Sequence, residues 1–466
     1  MLFNSGTFLQ FFAAFLLLFY LCRNNLGARN LLIVAASYFF YGWWDYRFLS
    51  LLVLTSLVDF FVGLGLERAA SDKRRKLLLC VSLAANLSVL GFFKYFDFFV
   101  ESFAALLERL HLPVHPRTLG IILPVGISFY TFQSMSYIVD VYRRQMKPTR
   151  SLVNFLAYVS FFPQLVAGPI ERGHHLLPQF ETTLRITRAM LAEGLWLALW
   201  GMFKKVVLAD NLAPLVEMVY ENPAATGPMV VLATVAFGFQ IYCDFSGYSD
   251  IARGTAKVLG FDIMVNFNLP YSATSLREFW RRWHISLSTW LRDYLYVGLG
   301  GNRLGRARTY VNLLVTMLLG GLWHGAAWNF VLWGLWHGAG LALNRWWEEA
   351  RGPQRRFSAA LAWLLTMLCV LYGWLLFRAG AWAQVCSLHA ALANWTLPSW
   401  WQSYLTNLLA FTLPLVLLQV WQARTGNLLV PLRQPAWTQA VLQGALLLAI
   451  VLFWEKKSTP FIYFQF

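Results

Sequence analysis

Apolar stretches of up to about 20 residues recur along the whole chain, and that is the length a helix needs to cross hydrocarbon. They predict helices near 2–22, 31–44, 48–66, 77–100, 119–142, 152–170, 190–219, 229–249, 311–345, 357–377, 404–422 and 439–455. The 311–345 run is long enough for two passes with a turn near Gly325. A transmembrane barrel would need alternating segments of about ten residues instead. The expected fold is therefore all-α: a polytopic membrane protein of about 11–13 transmembrane helices in one integral domain spanning 1–466.

Composition agrees, with 58% hydrophobic and 13% charged residues against roughly 45–50% and about 25% in soluble domains. The net charge of +16 gathers in short connections, which is a positive-inside pattern and gives no case for a nucleic acid partner. The basic loops at 23–29, 68–76 and 143–150 should share the cytoplasmic side, with 101–117 outside. The five cysteines are scattered singly, so neither a disulfide framework nor a metal site is expected. The 2–22 run lacks a basic leader and reads as a retained first span.

Past residue 150, prolines and charges interrupt the pattern, as re-entrant pieces buried in protein would. The segment 266–308 is too charged to face lipid yet rich in Trp, Phe and Leu. It predicts amphipathic helices at or dipping into the cytoplasmic face.

An ionisable group in a membrane-buried segment marks chemistry first, and imidazole is the suspect because it titrates near neutrality. His324, in Gly321-Leu322-Trp323-His324-Gly325, is one such group. His284 is a second candidate, in the amphipathic block, where Arg277, Arg281, His284 and Ser288 would share one face of a continuous helix, a cationic stripe suited to a phosphorylated donor. A basic helix anchored to lipid headgroups explains the stripe equally well. The cluster from Gly298 to Asn302 and Arg303 is an anion nest or, more simply, a turn. His337 repeats the Trp-His-Gly pattern of His324 thirteen residues on, about 220° around a continuous helix, so the two share a face only if the chain breaks between them. Either can be a packing histidine. Asp244 and Asp250 can handle protons or cap and bridge helices.

Taken together, Pro124-Val125-Gly126-Ile127-Ser128-Phe129-Tyr130, Ala167-Gly168-Pro169, Asp244-Phe245-Ser246-Gly247-Tyr248-Ser249-Asp250, the block from Phe279 through Arg303, and Gly320-Gly321-Leu322-Trp323-His324-Gly325 resemble the membrane-bound O-acyltransferase family. The resemblance is to its bacterial branch of alginate O-acetylation and teichoic-acid D-alanylation membrane proteins. It covers residues 1–345, while 346–466 match only as further spans. It implies a ring of helices with re-entrant and cytoplasmic pieces around a central tunnel, where donor and acceptor meet from opposite sides.

It also implies His324 and His284 as catalytic residues, and it prefers His324 over His337. Arg277, Arg281, Arg282, Ser288, Arg292, Asn302, Arg303, Trp323, Asp244, Ser246 and Tyr242 are then candidates for the donor site or tunnel. The expected reaction moves an acetyl group from a thioester such as acetyl-CoA, or from an acyl carrier, towards an extracytoplasmic polysaccharide such as alginate, cellulose or peptidoglycan. The acceptor is reached directly or through a periplasmic acetyltransferase partner. The expected location is the bacterial inner membrane, with the lipid bilayer as surroundings and no bound cofactor. A neutral His324 would act as general base on the hydroxyl, and a covalent acyl-histidine stays open. Two other classes stay open too: a transporter with His324, Asp244 and Asp250 as a proton relay, and a non-catalytic scaffold of a polysaccharide-modifying complex.

Overall fold

The computed structural model describes residues 1–112, 118–351, 358–454 and 461–462. Arg117, Phe357 and Glu455, which bound three expected segments, lie outside the described residues. Those described form helices and connections without a strand, as expected. Among them, Leu26–Arg68, Asp72–Arg109, Gly227–Val258, Ala359–Arg378, Trp401–Thr425 and Ala436–Phe453 are long and apolar enough to cross a membrane, and Gly6–Cys22 is a shorter apolar helix. The chain divides into two compact units, Met1–Thr187 with Thr255–Met264, and Arg188–Gly254 with Val265–Phe466.

In the first unit, three helices, Leu49–Arg68, Asp72–Leu90 and Ile127–Tyr142, meet around a buried acid. Asp59 accepts from Ser82, Ser134 and, at 2.9 Å, Asn86, so neighbouring helices satisfy one carboxylate between them. Arg75 donates to the Leu66 carbonyl at 2.5 Å and to the Tyr142 carbonyl at 2.8 Å, closing the open C-terminal ends of two of these helices. The basic loops at 68–76 and 143–150 therefore lie together, as their charge predicts.

The helix expected from 119 begins only at Ile127, because Gly126 is left-handed at φ 76°. A side chain there would lie 2.7 Å from the Leu165 carbonyl, so only glycine lets the loop before Ala167-Gly168-Pro169 come so close.

In the second unit, the expected 190–219 helix is interrupted. Arg188–Met202 and Asp210–Tyr220 are joined by a π-helical stretch, Phe203–Ala209. The 311–345 run is two helices, Arg306–His324 and Trp328–Arg351, turning at 325–327 as the sequence predicts. The segment 266–308 holds two short helices, Leu276–Arg282 and Ile285–Trp290, then a π-helical stretch, Leu291–Tyr296, and a turn.

Candidate functional site

The Arg306–His324 and Trp328–Arg351 helices pack through small residues. A Cβ on Gly321 would collide with the Phe330 carbonyl, and one on Gly334 would lie 2.5 Å from the Met317 carbonyl. Glycine at these positions lets the two helix backbones approach closely, which no larger side chain would allow. His324 is the last residue of its helix and 4% exposed. Leu313, Thr316, Met317, Gly320 and His324 follow the three- and four-residue spacing of one helical face.

His284 arrives differently. Ser275 caps Leu276–Arg282 by accepting from the Glu278 N–H at 3.2 Å, and the helix stops when Trp283 turns extended and His284 turns left-handed at φ 42°. That conformation costs a non-glycine residue on the order of 1–3 kcal/mol and persists only where its surroundings impose it. Asn266 imposes it. Its carbonyl accepts from the Ile285 N–H at 2.9 Å, and its Oδ1 accepts from Ser286 N–H at 3.2 Å and Ser286 Oγ at 2.9 Å. The expected continuous stripe of Arg277, Arg281, His284 and Ser288 is therefore incorrect, because the chain breaks at 283–284 and sends His284 inward, fully buried. Burial pushes its imidazole down to about 3, so the ring is neutral at ordinary pH.

Between these elements lies a cavity of about 140 Å³. Its apolar wall is Trp280, Leu287, Leu291, Leu313, Met317, Trp333 and Leu341; its polar groups come from Ser288, Arg292, Tyr296, Thr316 and His324. The His324 ring meets those of Trp333 at 5.0 Å and Phe377 at 5.3 Å edge to face. The His284 ring stands 6.3 Å from it, with Trp323 against both, 5.7 Å from His284 and 5.1 Å from His324. His337 lies behind the wall, 4.9 Å from Trp333 and 5.2 Å from Trp280, and does not line the cavity. His324 and His337 thus both pack on the Trp333 indole, and the break at 325–327 lets the two imidazoles meet it from separate helices.

Three sequence candidates thus meet at the cavity, His324, Ser288 and Arg292, with His284 and Trp323 adjacent. The others do not. Arg277 pairs with Glu348 at 2.5 Å and Arg282 with Glu278 at 2.6 Å, while Arg281, Asn302 and Arg303 are exposed. The glycine cluster is a turn fastened by Asn312, whose Nδ2 donates to the Leu299 and Gly301 carbonyls at 3.2 and 2.9 Å.

Tyr242 packs against Phe267 and Trp283. Asp244 and Ser246 belong to a buried ionic cluster built by the Phe203–Ala209 stretch. Lys205 pairs with Asp244 at 2.5 Å and Asp210 at 2.8 Å; Lys204 donates to Ser246 at 2.9 Å and Asp250 at 2.7 Å. Two cations at adjacent positions can enter the interior there because the backbones of Gly201 and Gly247 touch: a Cβ on Gly201 would lie 2.6 Å from the Gly247 carbonyl.

Trp280, Trp333, Tyr296 and Thr316 line the cavity without having been singled out as site candidates, and Asn266 shapes it from outside. Thr316 was findable, standing eight residues before His324 on the same helical face. Trp333 was not, among 22 tryptophans.

The model of the membrane-bound O-acyltransferase family matches residues 143–379. The protein called "Probable alginate O-acetylase AlgI" in Azotobacter vinelandii is 43% identical, covering 89% of this chain and 83% of that protein. Its Pseudomonas putida namesake is 40% identical over the whole of both chains. The peptidoglycan O-acetyltransferase of Helicobacter pylori is 37% identical, covering 81% of this chain and 77% of that one. The family match takes in the His284 and His324 segments and the cavity between them, and this chain, a multi-helix membrane protein and an O-acyltransferase, belongs to the membrane-bound O-acyltransferase family.

Proposed function

We propose that the chain is an O-acetyltransferase of a bacterial inner membrane, taking acetyl from a thioester such as acetyl-CoA on the cytoplasmic side and delivering it towards hydroxyls of an extracytoplasmic polysaccharide. The observation that carries this reading is His324 on the wall of a largely apolar cavity, with Ser288 and Arg292 on the same wall. A relative named for alginate and another named for peptidoglycan support acetyl as the group and a polysaccharide as the acceptor class.

A sugar hydroxyl is a poor nucleophile at neutral pH. An imidazole within hydrogen-bond reach takes its proton as the oxygen attacks the thioester carbonyl, a contribution of roughly 10²–10⁴ in rate. The tetrahedral intermediate then expels the thiolate, which recovers the proton from the imidazolium. His324 is the general base in this scheme. His284, neutral and 6.3 Å away, orients or polarises the donor. Arg292, on the cavity wall and at the surface, exchanges its Asp293 partner, 2.7 Å away, for the donor's phosphates. The low-polarity walls keep water from competing for the acyl group. The product ester is either on the polymer itself or on a partner transferase that passes the acetyl on.

The test is acetyl transfer by purified, bilayer-reconstituted protein from radiolabelled acetyl-CoA to alginate and peptidoglycan oligosaccharides. His324→Ala should abolish transfer while leaving a monodisperse, membrane-inserted protein. Transfer retained by that variant removes His324 from the chemistry, and a wild type that leaves acetyl-CoA intact removes the donor assignment.

A further inference from the structure

Phe461 and Ile462 lie buried, 1% and 4% exposed, against residues 244–248 of the Gly227–Val258 helix. The Ile462 N–H donates to Asp244 Oδ2 at 2.7 Å, while the other oxygen of that carboxylate holds Lys205. A backbone donor on a buried carboxylate makes a charge-assisted bond, roughly twice as strong as a neutral one, so this short segment is tied to the ionic cluster. The Phe461 ring then stands 5.0 Å from Tyr248 and 5.6 Å from Phe245. Phe245 is the ring that meets His284 edge to face, 4.5 Å away.

We propose that Phe461 and Ile462 form a latch that sets the position of the His284 ring through Phe245, which makes both of them positioning residues for acyl transfer. The proposal rests on the reading of His284 and His324 as the pair that handles the acyl group. The chain just after His284 is clamped by Asn266, and the His284 ring packs on Phe245 and Trp323. The backbone clamp does not depend on the latch; the Phe245 contact does. Without Phe461, Phe245 keeps Phe267 against it but gains room to turn where Phe461 stood, and the His284 ring, with Trp323 still beside it, can change its angle to His324. The cavity itself is built from 280–341 and keeps its walls. The loss should therefore fall on kcat and spare donor binding.

The experiment uses the full chain in nanodiscs, with acetyl-CoA as donor and an acetyl-accepting oligosaccharide, and expresses kcat per folded, monodisperse molecule. Phe461→Ala should lower kcat about 10- to 100-fold, the scale on which small misplacements act, with KM for acetyl-CoA held within about twofold. Phe461→Leu, which refills most of the volume, should recover most of that rate. Ile462→Pro, which takes the N–H from Asp244, should lower kcat in the same direction. Wild-type kcat in both Phe461→Ala and Ile462→Pro overturns the latch, as does a rise in KM without a fall in kcat, whatever the yield of folded protein. A wild type that transfers no acetyl sinks the functional reading instead, and His324→Ala run alongside separates the two.

Discussion

The rings of His284 and His324 stand 6.3 Å apart, centroid to centroid, although 324 − 284 = 40 residues separate them along the chain. Each is placed by a different device: a helix end for His324, and a strained left-handed residue for His284. That difference makes their supports separately testable.

Asn266 clamps the chain just after His284, and its side chain accepts from both the N–H and the hydroxyl of Ser286. Asn266→Ala takes the acceptor from a buried N–H, which costs about 1–3 kcal/mol. Thermal unfolding should register that loss, and acetyl transfer should fall further than stability alone explains because His284 is freed. Activity per folded molecule equal to wild type would refute the clamp.

Protonation of His284 works against the fold. Its pKa is about 3 in place and 6.5 ordinarily, so the unfolded chain binds the proton first as pH falls. This contribution is whole above about pH 6.5 and is lost progressively below it, at up to about 1.4 kcal/mol per pH unit. Between pH 7 and pH 5, detergent-solubilised wild type should lose more thermal stability than His284→Asn, a residue that tolerates the left-handed backbone. Parallel slopes would contradict the assignment.

Gly320 and Gly321 are neighbours with opposite tolerances. A Cβ at Gly321 runs into the Phe330 carbonyl, which is backbone and cannot swing away; one at Gly320 meets only the Leu291 side-chain tip at 3.0 Å. Gly321→Ala should therefore cost about 1–3 kcal/mol and reduce transfer by prising the His324 hairpin apart, whereas Gly320→Ala should leave stability nearly intact. Melting curves of the two variants side by side check this.

Lys205 places one ammonium between two carboxylates, the buried one of Asp244 and the half-buried one of Asp210. Removing it takes a cation from both acids at once, and Lys205→Met should destabilise by about 3–5 kcal/mol. Adding Asp244→Asn to Lys205→Met should restore part of that stability, a non-additivity that a double-mutant cycle measures directly. Simple additivity would mean the pair is not coupled.

The parts of this molecule written in local pattern were legible from the sequence. Runs of apolar residues marked the spans, Gly325 marked the turn before Trp328, and basic loops marked the shared end that Arg75 fastens. His324 stood out as a buried imidazole, preferred over His337 through the family resemblance that also brought in Arg292, and with Ser288 they come to one cavity. What local pattern could not convey was the break at Trp283 and His284. Residues 276–290 suit a continuous helix, and the group that ends it, Asn266, lies 284 − 266 = 18 residues upstream. Lys204 and Lys205 read as interruptions for the same reason, since the acids that receive them at Asp244 and Asp250 belong to another helix. Neither partnership has a periodicity to detect.

The widened Phe203–Ala209 turn also makes this stretch sensitive to chain length. A π-helical turn accommodates an extra residue relative to the α-helical winding around it. Deleting one residue between 203 and 209 would relax the bulge into an ordinary helix and leave Asp210–Tyr220 nearly in phase with Arg188–Met202, so the change falls on the bulge itself. Lys204 and Lys205, which stand on the bulge, would lose the winding that aims them at their acids. A substitution at Lys204 leaves the contacts of Lys205 in place, whereas a single-codon deletion in the bulge would disturb both lysines at once.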